Sequence, residues 1–286
     1  MPTAEAQREV ESGGSRTHRA VPGTLDAAWH SPERFFHATS PRAEFEAFLA
    51  SIAFETESGP AVVFTHSNAW YVPTLVANLL HSVRLHDPIH RIGVVCVDDE
   101  GFEAATARGF VAHHLQLAEL DNVAGTGTIY QTEGYRLLAN AKLFLCELAV
   151  RAGFRVLYLD PDQALLAPCV DQIFGFDGDV VVQIRLDGAN CHGVIKLECT
   201  EEAADYVHVL ADAPVREELS DEDVTFARWQ RLSAAGRAAG LPFEQFPTGD
   251  WLERRRGQAL LAHFNYCIGL EEKIALARRC RCWYLD

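Results

Sequence analysis

Positive charge is scarce in this chain, paired cysteines are absent and no apolar run is long; each shortage removes a class of protein. Only 25 Lys and Arg stand against 40 Asp and Glu, a formal charge of −15. An acidic surface repels nucleic-acid phosphates and anionic lipid headgroups, so no nucleic-acid partner is expected, and any nucleotide handled here is a small molecule in a local pocket. The eight cysteines, Cys96, Cys146, Cys169, Cys191, Cys199, Cys267, Cys280 and Cys282, form no C-x-x-C pair and mostly sit in apolar runs. That spacing argues for reduced, buried thiols rather than a zinc site. No segment approaches the roughly 18 to 20 apolar residues of a membrane span. The opening MPTAEAQREVESGGSRTHRAVPG mixes charge and glycine where a secretory signal needs an apolar stretch. A cytoplasmic chain without a membrane span is expected.

What is present suits one globular enzyme. With 286 residues, 48% hydrophobic and 23% charged, the chain can bury a core without disulfides or structural metal. Residues 1–30 are too poor in large apolar groups to offset chain entropy and are expected to lack structure. Residues 31–58 read as a helical extension, since Phe45, Phe48, Leu49 and Ile52 recur at helical spacing after Pro41. Residues 59–286 read as a single α/β domain. Ala61–Thr65 (AVVFT) and Ile92–Val97 (IGVVCV) are strands apolar on both faces, separated by a helix over Pro73–Leu85. That is a β-α-β unit of a parallel sheet. A helix from Asp99 and a strand over Val111–Leu117 follow. Leu138, Ala141, Leu145 and Leu148 mark one face of a helix that Gly153 ends, and Arg155–Leu159 is the next strand. Asp179–Ile184 and Gly193–Leu197 read as strands, Glu201–Leu210 and Asp221–Leu232 as helices, giving a mixed, mostly parallel sheet flanked by helices.

In open α/β sheets, ligands bind beyond the carboxyl ends of strands, where loops converge. Asp160 and Asp162 stand at such an end, two residues apart, with Pro161 stiffening the turn between them. That spacing lets two carboxylates lean toward one hard cation. At the first strand end, Thr65, His66 and Asn68 offer groups that could read a base and ribose, and Asp98 after the second strand could do likewise.

The stretch YLDPDQALLAPC resembles the strand, D-x-D and following turn of nucleotide-diphospho-sugar transferases with the GT-A fold, particularly the retaining group that includes plant cell-wall xylosyl- and arabinosyltransferases. HFNYCIGLEEK, from His263, is similar to that group's C-terminal H-x-N-x-x-x-G-x-x-x-K stretch, and Trp283 to its final aromatic. The order of elements agrees from about Ala61 onward. The resemblance implies a GT-A type, Rossmann-like nucleotide-sugar-binding domain. It implies a sugar donor linked to a nucleotide diphosphate, usually UDP, an acceptor of unknown identity, and Mn²⁺ or Mg²⁺ as cofactor. Asp160 would touch the ion, the ribose or both, Asp162 would coordinate it and His263 would be the third protein ligand. One imidazole tilts the choice toward Mn²⁺. Lys273 would grip the diphosphate, with Gly269 at a matching position, and Lys142 would stand near the donor phosphates or sugar.

The same resemblance places Asn190 and Gly193, in NCHG leading into the strand VIKLE, on the loop and strand beside the sugar, although His192 departs from the family's N-x-G. Asp221 and Glu222 fall where relatives often carry an Asp-Gln pair near the acceptor; here glutamate is a base, a sugar ligand or first-turn helix charge. Gly249 and Asp250 match a turn before the last helix. Arg254, Arg255 and Arg256 read as a solvated helix face. Two other readings fare worse. An aspartyl phosphatase would carry its D-x-D early, with Thr or Val at position 164 and a later G-D-x-x-x-D; position 164 is Ala and the pair comes after about 150 residues. A non-catalytic nucleotide-sugar-binding or scaffold protein need not keep Asp160, Asp162, His263 and Lys273 together.

Overall fold

A computed structural model of the chain describes residues 35–120, 132–209 and 220–285. The expected unstructured tail, residues 1–30, lies outside them. The first helix, α1 (Arg42–Ile52), buries Phe45, Phe48, Leu49 and Ile52 at the spacing read from the sequence. It lies on the sheet where Gly93 leaves room: a Cβ there would stand 2.7 Å from Ile52 Cδ1. A hairpin then joins this helix to the sheet, β1 (Phe54–Thr56) pairing antiparallel with β2 (Gly59–Ser67). The line drawn between residues 58 and 59 therefore falls in the turn of a hairpin.

The β-α-β unit follows as read. β2 leads through a π-helical turn (Val72–Val76), with Pro73 near its start, into α2 (Ala77–His86) and back to β3 (Ile92–Cys96), parallel to β2. α3 (Asp99–Ala107) and a short parallel strand, β4 (Ala112–His114), complete that side. α4 (Glu133–Arg151) begins where the Thr132 hydroxyl accepts the Tyr135 N–H at 3.3 Å, a side-chain cap on an otherwise orphaned donor. It ends before Gly153, whose φ of +96° suits glycine, and β5 (Arg155–Leu159) follows, buried at every residue.

Beyond β5 come β6 (Gln163–Leu165), α5 (Val170–Phe174), β7 (Val180–Ile184), β8 (Asn190–Leu197), α6 (Glu201–Val207), α7 (Asp221–Ala234), β9 (Ala238–Gly240), α8 (Gly249–Arg255), β10 (Leu261–His263) and α9 (Leu270–Arg279). The sheet runs β4-β3-β2-β5-β8-β7-β9, with β1 on the side of β2. Along that path only β8 opposes the others, so the sheet is mixed and mostly parallel, the layout expected of a GT-A type domain. β6 and β10 form a separate antiparallel ribbon. Three expectations are corrected. Asn190 to His192 are strand rather than loop, because Asn190 and Cys191 pair with Ile184 and Gln183. Gly249 opens a short helix instead of a bare turn. The helix read to Leu210 ends at Val207, where His208 turns extended.

Both faces of the sheet are covered. Along β2, Val62 and Phe64 join the core under α1 and α4, while Ala61 and Val63 join the core under α2. β5 alternates in the same way, Val156 and Tyr158 against Leu157 and Leu159. Burying each of the valines, leucines and Phe64 contributes about 1.5 to 3 kcal/mol, which fixes the register and hence which residue ends each strand. A third core, around Phe264, Leu252 and Leu276, seats the ribbon. No helix among the described residues is long and apolar enough to cross a membrane.

Candidate active site

β2 adds β3 on one side and β5 on the other, so the sheet has a switch point between β2 and β5, where loops part and leave a crevice. Asp160 follows directly from β5 at that crevice. Its backbone N–H donates to Gly193 O at 2.8 Å, and its Oδ1 accepts from the Tyr158 hydroxyl at 2.8 Å. The ribbon supplies the rest. β10 sets His263 opposite Gln163, and the Phe264 N–H donates to Asp162 O at 2.9 Å. Two segments a hundred residues apart thus meet through three-residue strands.

Asp160, Asp162 and His263 each present a ligand atom within 4.8 Å of the others. His263 Nε2 lies 3.4 Å from Asp162 Oδ1 and 3.9 Å from Asp160 Oδ2. On the ring's other side, Nδ1 is 2.7 Å from Gln183 Oε1. Gly193 packs on the imidazole face: a Cβ there would collide with Cε1 and stand 2.8 Å from Nε2. Lys273, from α9, donates to Asp162 Oδ2 and to Phe264 O, the latter at 3.2 Å. Gly269 starts that helix at φ +90°, a conformation suited to glycine.

A second set of charges stands beside this one. Lys142, on α4 and 5% exposed, reaches Asp160 Oδ1 at 3.3 Å and Asp221 Oδ2 at 2.8 Å. Asp221, at the start of α7, also meets His192 Nδ1 at 3.1 Å. Nε2 of His192 faces the Tyr206 hydroxyl at 2.7 Å and Thr225 Oγ1 at 3.2 Å, with Asn190 Nδ2 at 3.3 Å. The extra histidine of the NCHG segment is thus a buried brace for Asp221, and Asn190 belongs to the same network. Glu222 is half-buried beside it.

The electrostatics follow from this crowding. Burial works against the charged form of Asp162, but Lys273 and His263 outweigh it and hold the carboxyl well below its usual range. Burial likewise opposes ionisation of Asp221, yet Lys142 and His192 win and lower it. Lys142 is raised well above normal, since Asp160 and Asp221 overcome its desolvation. His263 is raised to about 10, Asp162 outweighing burial. Glu222 moves the other way: burial first, then the Asp221 charge, push its carboxyl up.

The remaining candidates are placed differently. His66 is buried at the end of β2, between the Tyr158 hydroxyl at 2.8 Å and Leu138 O at 2.9 Å, and burial lowers it to about 4. Thr65 is fully buried in β2, its hydroxyl without a partner among the described residues. Asn68 is buried at the crevice edge. Asp98 caps α3: its Oδ1 accepts from Gly101 N at 2.9 Å and Ala69 N at 3.0 Å, tying the two strand-end loops together. Gly249 N donates to Asn265 Oδ1 at 2.6 Å, which fastens the chain after His263. Of the three arginines, Arg254 stacks on Trp251 at 4.8 Å, and Arg256 is tied to the carbonyls of Cys280 and Arg281. Tyr158, Gln183 and Tyr206 were not singled out from the sequence. Only Gln183 left a trace there, as the one amide in the apolar run DVVVQI.

The donor set fits a hard divalent cation. Two carboxylates and an imidazole with Nδ1 engaged elsewhere suit Mn²⁺ or Mg²⁺, and the nearest thiol, Cys191, stands on the Nδ1 side of the ring at 3.9 Å. A cation there would take the place of the Nε2 proton of His263.

No family model matches the chain, and no curated protein matches it. Solved structures do. The chain is similar to the galactosyltransferase LgtC in complex with donor and acceptor sugar analogs, at 11% identity and a TM-score of 0.49, over 78% of this chain and 96% of that one. It is similar to the bifunctional glycosyltransferase WbbM at 12% identity and a TM-score of 0.49, over 89% of this chain and 53% of that one. It is also similar to mouse xyloside xylosyltransferase 1, at 10% identity and a TM-score of 0.45, over 72% and 98%.

Proposed function

We propose that this chain is a metal-dependent glycosyltransferase that moves a hexosyl or pentosyl group from a nucleotide diphosphate donor, UDP-linked, to an acceptor hydroxyl with retention. The observation that carries this reading is the meeting of Asp160, Asp162 and His263, flanked by Lys142 and Lys273, at the switch point of a mostly parallel sheet. The acceptor is a glycan, a protein or a small molecule.

The chemistry needs such a site. As a sugar-diphosphate bond breaks, negative charge grows on the leaving diphosphate, and bound Mn²⁺ or Mg²⁺ supplies Lewis acidity there. Asp160, Asp162 and His263 would hold the ion. Lys273, held in the site by Asp162 and Phe264 O, would turn to grip the diphosphate, and Gly269 begins its helix at a positive φ. The sugar passes through an oxocarbenium-like state. Asp221, kept ionised by Lys142 and His192, faces that positive charge with a fixed negative one. Glu222, whose carboxyl is pushed up by burial and by Asp221, can hydrogen-bond the sugar or acceptor. With retention, the acceptor attacks from the side the diphosphate leaves, and a departing phosphate oxygen takes the acceptor's proton, so no carboxylate base is required. Thr65, His66, Asn68 and Asp98 shape the side of the crevice facing the nucleotide, and Asn190 and Gly193 the side facing the sugar.

The test is a panel of common nucleotide sugars incubated with purified protein and Mn²⁺, with Asp160→Ala as blank. Release of nucleotide diphosphate from at least one donor, absent in the blank, is expected. No release from any, with no donor shifting the melting temperature, would favour a scaffold instead.

A further inference from the structure

Gln183 lies at a fault in the sheet. Val182 pairs with Ile195 but Gln183 with Cys191, so the antiparallel pairing of β7 with β8 shifts between them and the extra residues lie on β8. Bulges of this kind re-aim a side chain, and they are over-represented beside functional sites. Gln183, opposite the irregularity, is fully buried. It spans the space between the ribbon and the chain before α8: Nε2 donates to Phe246 O at 3.0 Å and Pro247 O at 3.1 Å.

Those two bonds decide the orientation of the amide. Both partners are carbonyls that only accept, so the NH₂ group must point at them, and Oε1 must point away. Oε1 is the atom 2.7 Å from His263 Nδ1. It can only accept, so Nδ1 must carry a hydrogen and donate it. The lone pair for a metal is then confined to Nε2, the nitrogen that faces Asp162 and Asp160. Gly193 completes the seat by letting the ring lie flat against β8.

We infer that Gln183 is the positioning residue of the metal centre: anchored on Phe246 O and Pro247 O, it fixes the tautomer and the rotation of His263 so that Nε2 is presented to the cation. This inference rests on the metal-site reading above. A hydrogen-bond partner of this sort is worth 10- to 100-fold in metal affinity in other centres.

The test compares Gln183→Met and Gln183→Glu with the parent by Mn²⁺ titration, read by electron paramagnetic resonance of the free ion, alongside thermal melts. Methionine keeps the volume but cannot accept from Nδ1. Glutamate keeps an acceptor for Nδ1 while turning an oxygen toward two carbonyls, so it costs stability. The expected result is opposite ordering. Gln183→Met should bind Mn²⁺ about 10- to 100-fold more weakly, whereas Gln183→Glu should melt lower than the parent yet stay within a few-fold of its Mn²⁺ affinity. Parental affinity in Gln183→Met, or equal weakness in both variants, would overturn the positioning role. His263→Ala separates the two levels: if it leaves Mn²⁺ affinity unchanged, the metal-site reading itself fails, whatever Gln183 does.

Discussion

At the N-terminal end of β5, Arg155, Lys196 and Arg237 meet Glu198, Asp179 and Glu202, three cations against three carboxylates. At its C-terminal end, Lys142 and Lys273 stand among Asp160, Asp162, Asp221 and Glu222, two against four. Even a protonated His263 leaves the carboxylates in excess. The first cluster is saturated: Arg155 binds Glu198 through Nε at 2.7 Å and Nη2 at 2.6 Å, and spends Nη1 on Thr56 Oγ1 at 2.7 Å. Lys196 adds the carbonyls of Phe176 and Gly178 at 3.0 and 2.9 Å. Nothing there asks for a ligand. In the second cluster Asp162 and Asp221 are each paired with a lysine, while Asp160 and Glu222 are half-buried and leave the carboxylates in excess, a charge that a divalent cation would relieve. Dense charge at the two ends of β5 thus differs in its balance of signs, and the proposed site lies at the end where carboxylates are in excess.

The largest expected effect breaks the site end. Asp162→Asn should lower metal-dependent donor turnover by about 100- to 1000-fold or more, the scale of losing a group that stabilises developing charge. Unchanged turnover in that variant after metal stripping would remove the metal from the account. At the opposite end, Arg155→Met should cost about 1.5 to 3 kcal/mol of stability, since Glu198 keeps Lys196 but loses its two-point partner and Phe174 O loses its donor, with turnover per folded molecule preserved, as measured by urea unfolding beside an activity assay. Gly193→Ala is next: its methyl meets the His263 ring, so about 1 to 3 kcal/mol of stability should go, together with Mn²⁺ affinity.

The smallest effect is the sharpest on sign. Burial raises Glu198, but Arg155 and Lys196 outweigh it, so its carboxyl is lowered overall. Its stabilisation is present above the unfolded value, near 4.3, and is lost as pH falls through the folded value. Glu222 is raised, by burial first and by Asp221 next. Its ionisation costs stability as pH climbs from the unfolded value through the raised one, and the full cost persists above it. Without added metal, Glu198→Gln should therefore lower the melting temperature at pH 7 and Glu222→Gln should raise it. Both differences should shrink toward acid, as seen in melts across pH. The same sign for both would mean the two ends are electrostatically alike.

Much of this was legible in the sequence because the central strands are apolar on both faces. AVVFT, IGVVCV and RVLYL suit a parallel sheet covered on both faces, and an acidic pair directly after RVLYL suits a strand end. The ribbon was not legible. Gln163–Leu165 and Leu261–His263 are three residues each, too short to show a period, so the contact between Asp162 and His263 could be reached only through the family resemblance. Polar partnerships were equally hidden: His192 under Asp221 and Gln183 beside His263 depend on register, and the bulge at Val182/Gln183 breaks the alternation that sequence reading relies on. A glutamine closing an apolar strand was the one available hint.

The most direct measurement is calorimetric titration of UDP into the parent protein with Mn²⁺ and with EDTA, repeated on Asp162→Asn. The account predicts binding in Mn²⁺ that disappears both in EDTA and in the variant; binding of equal strength in all three would contradict it.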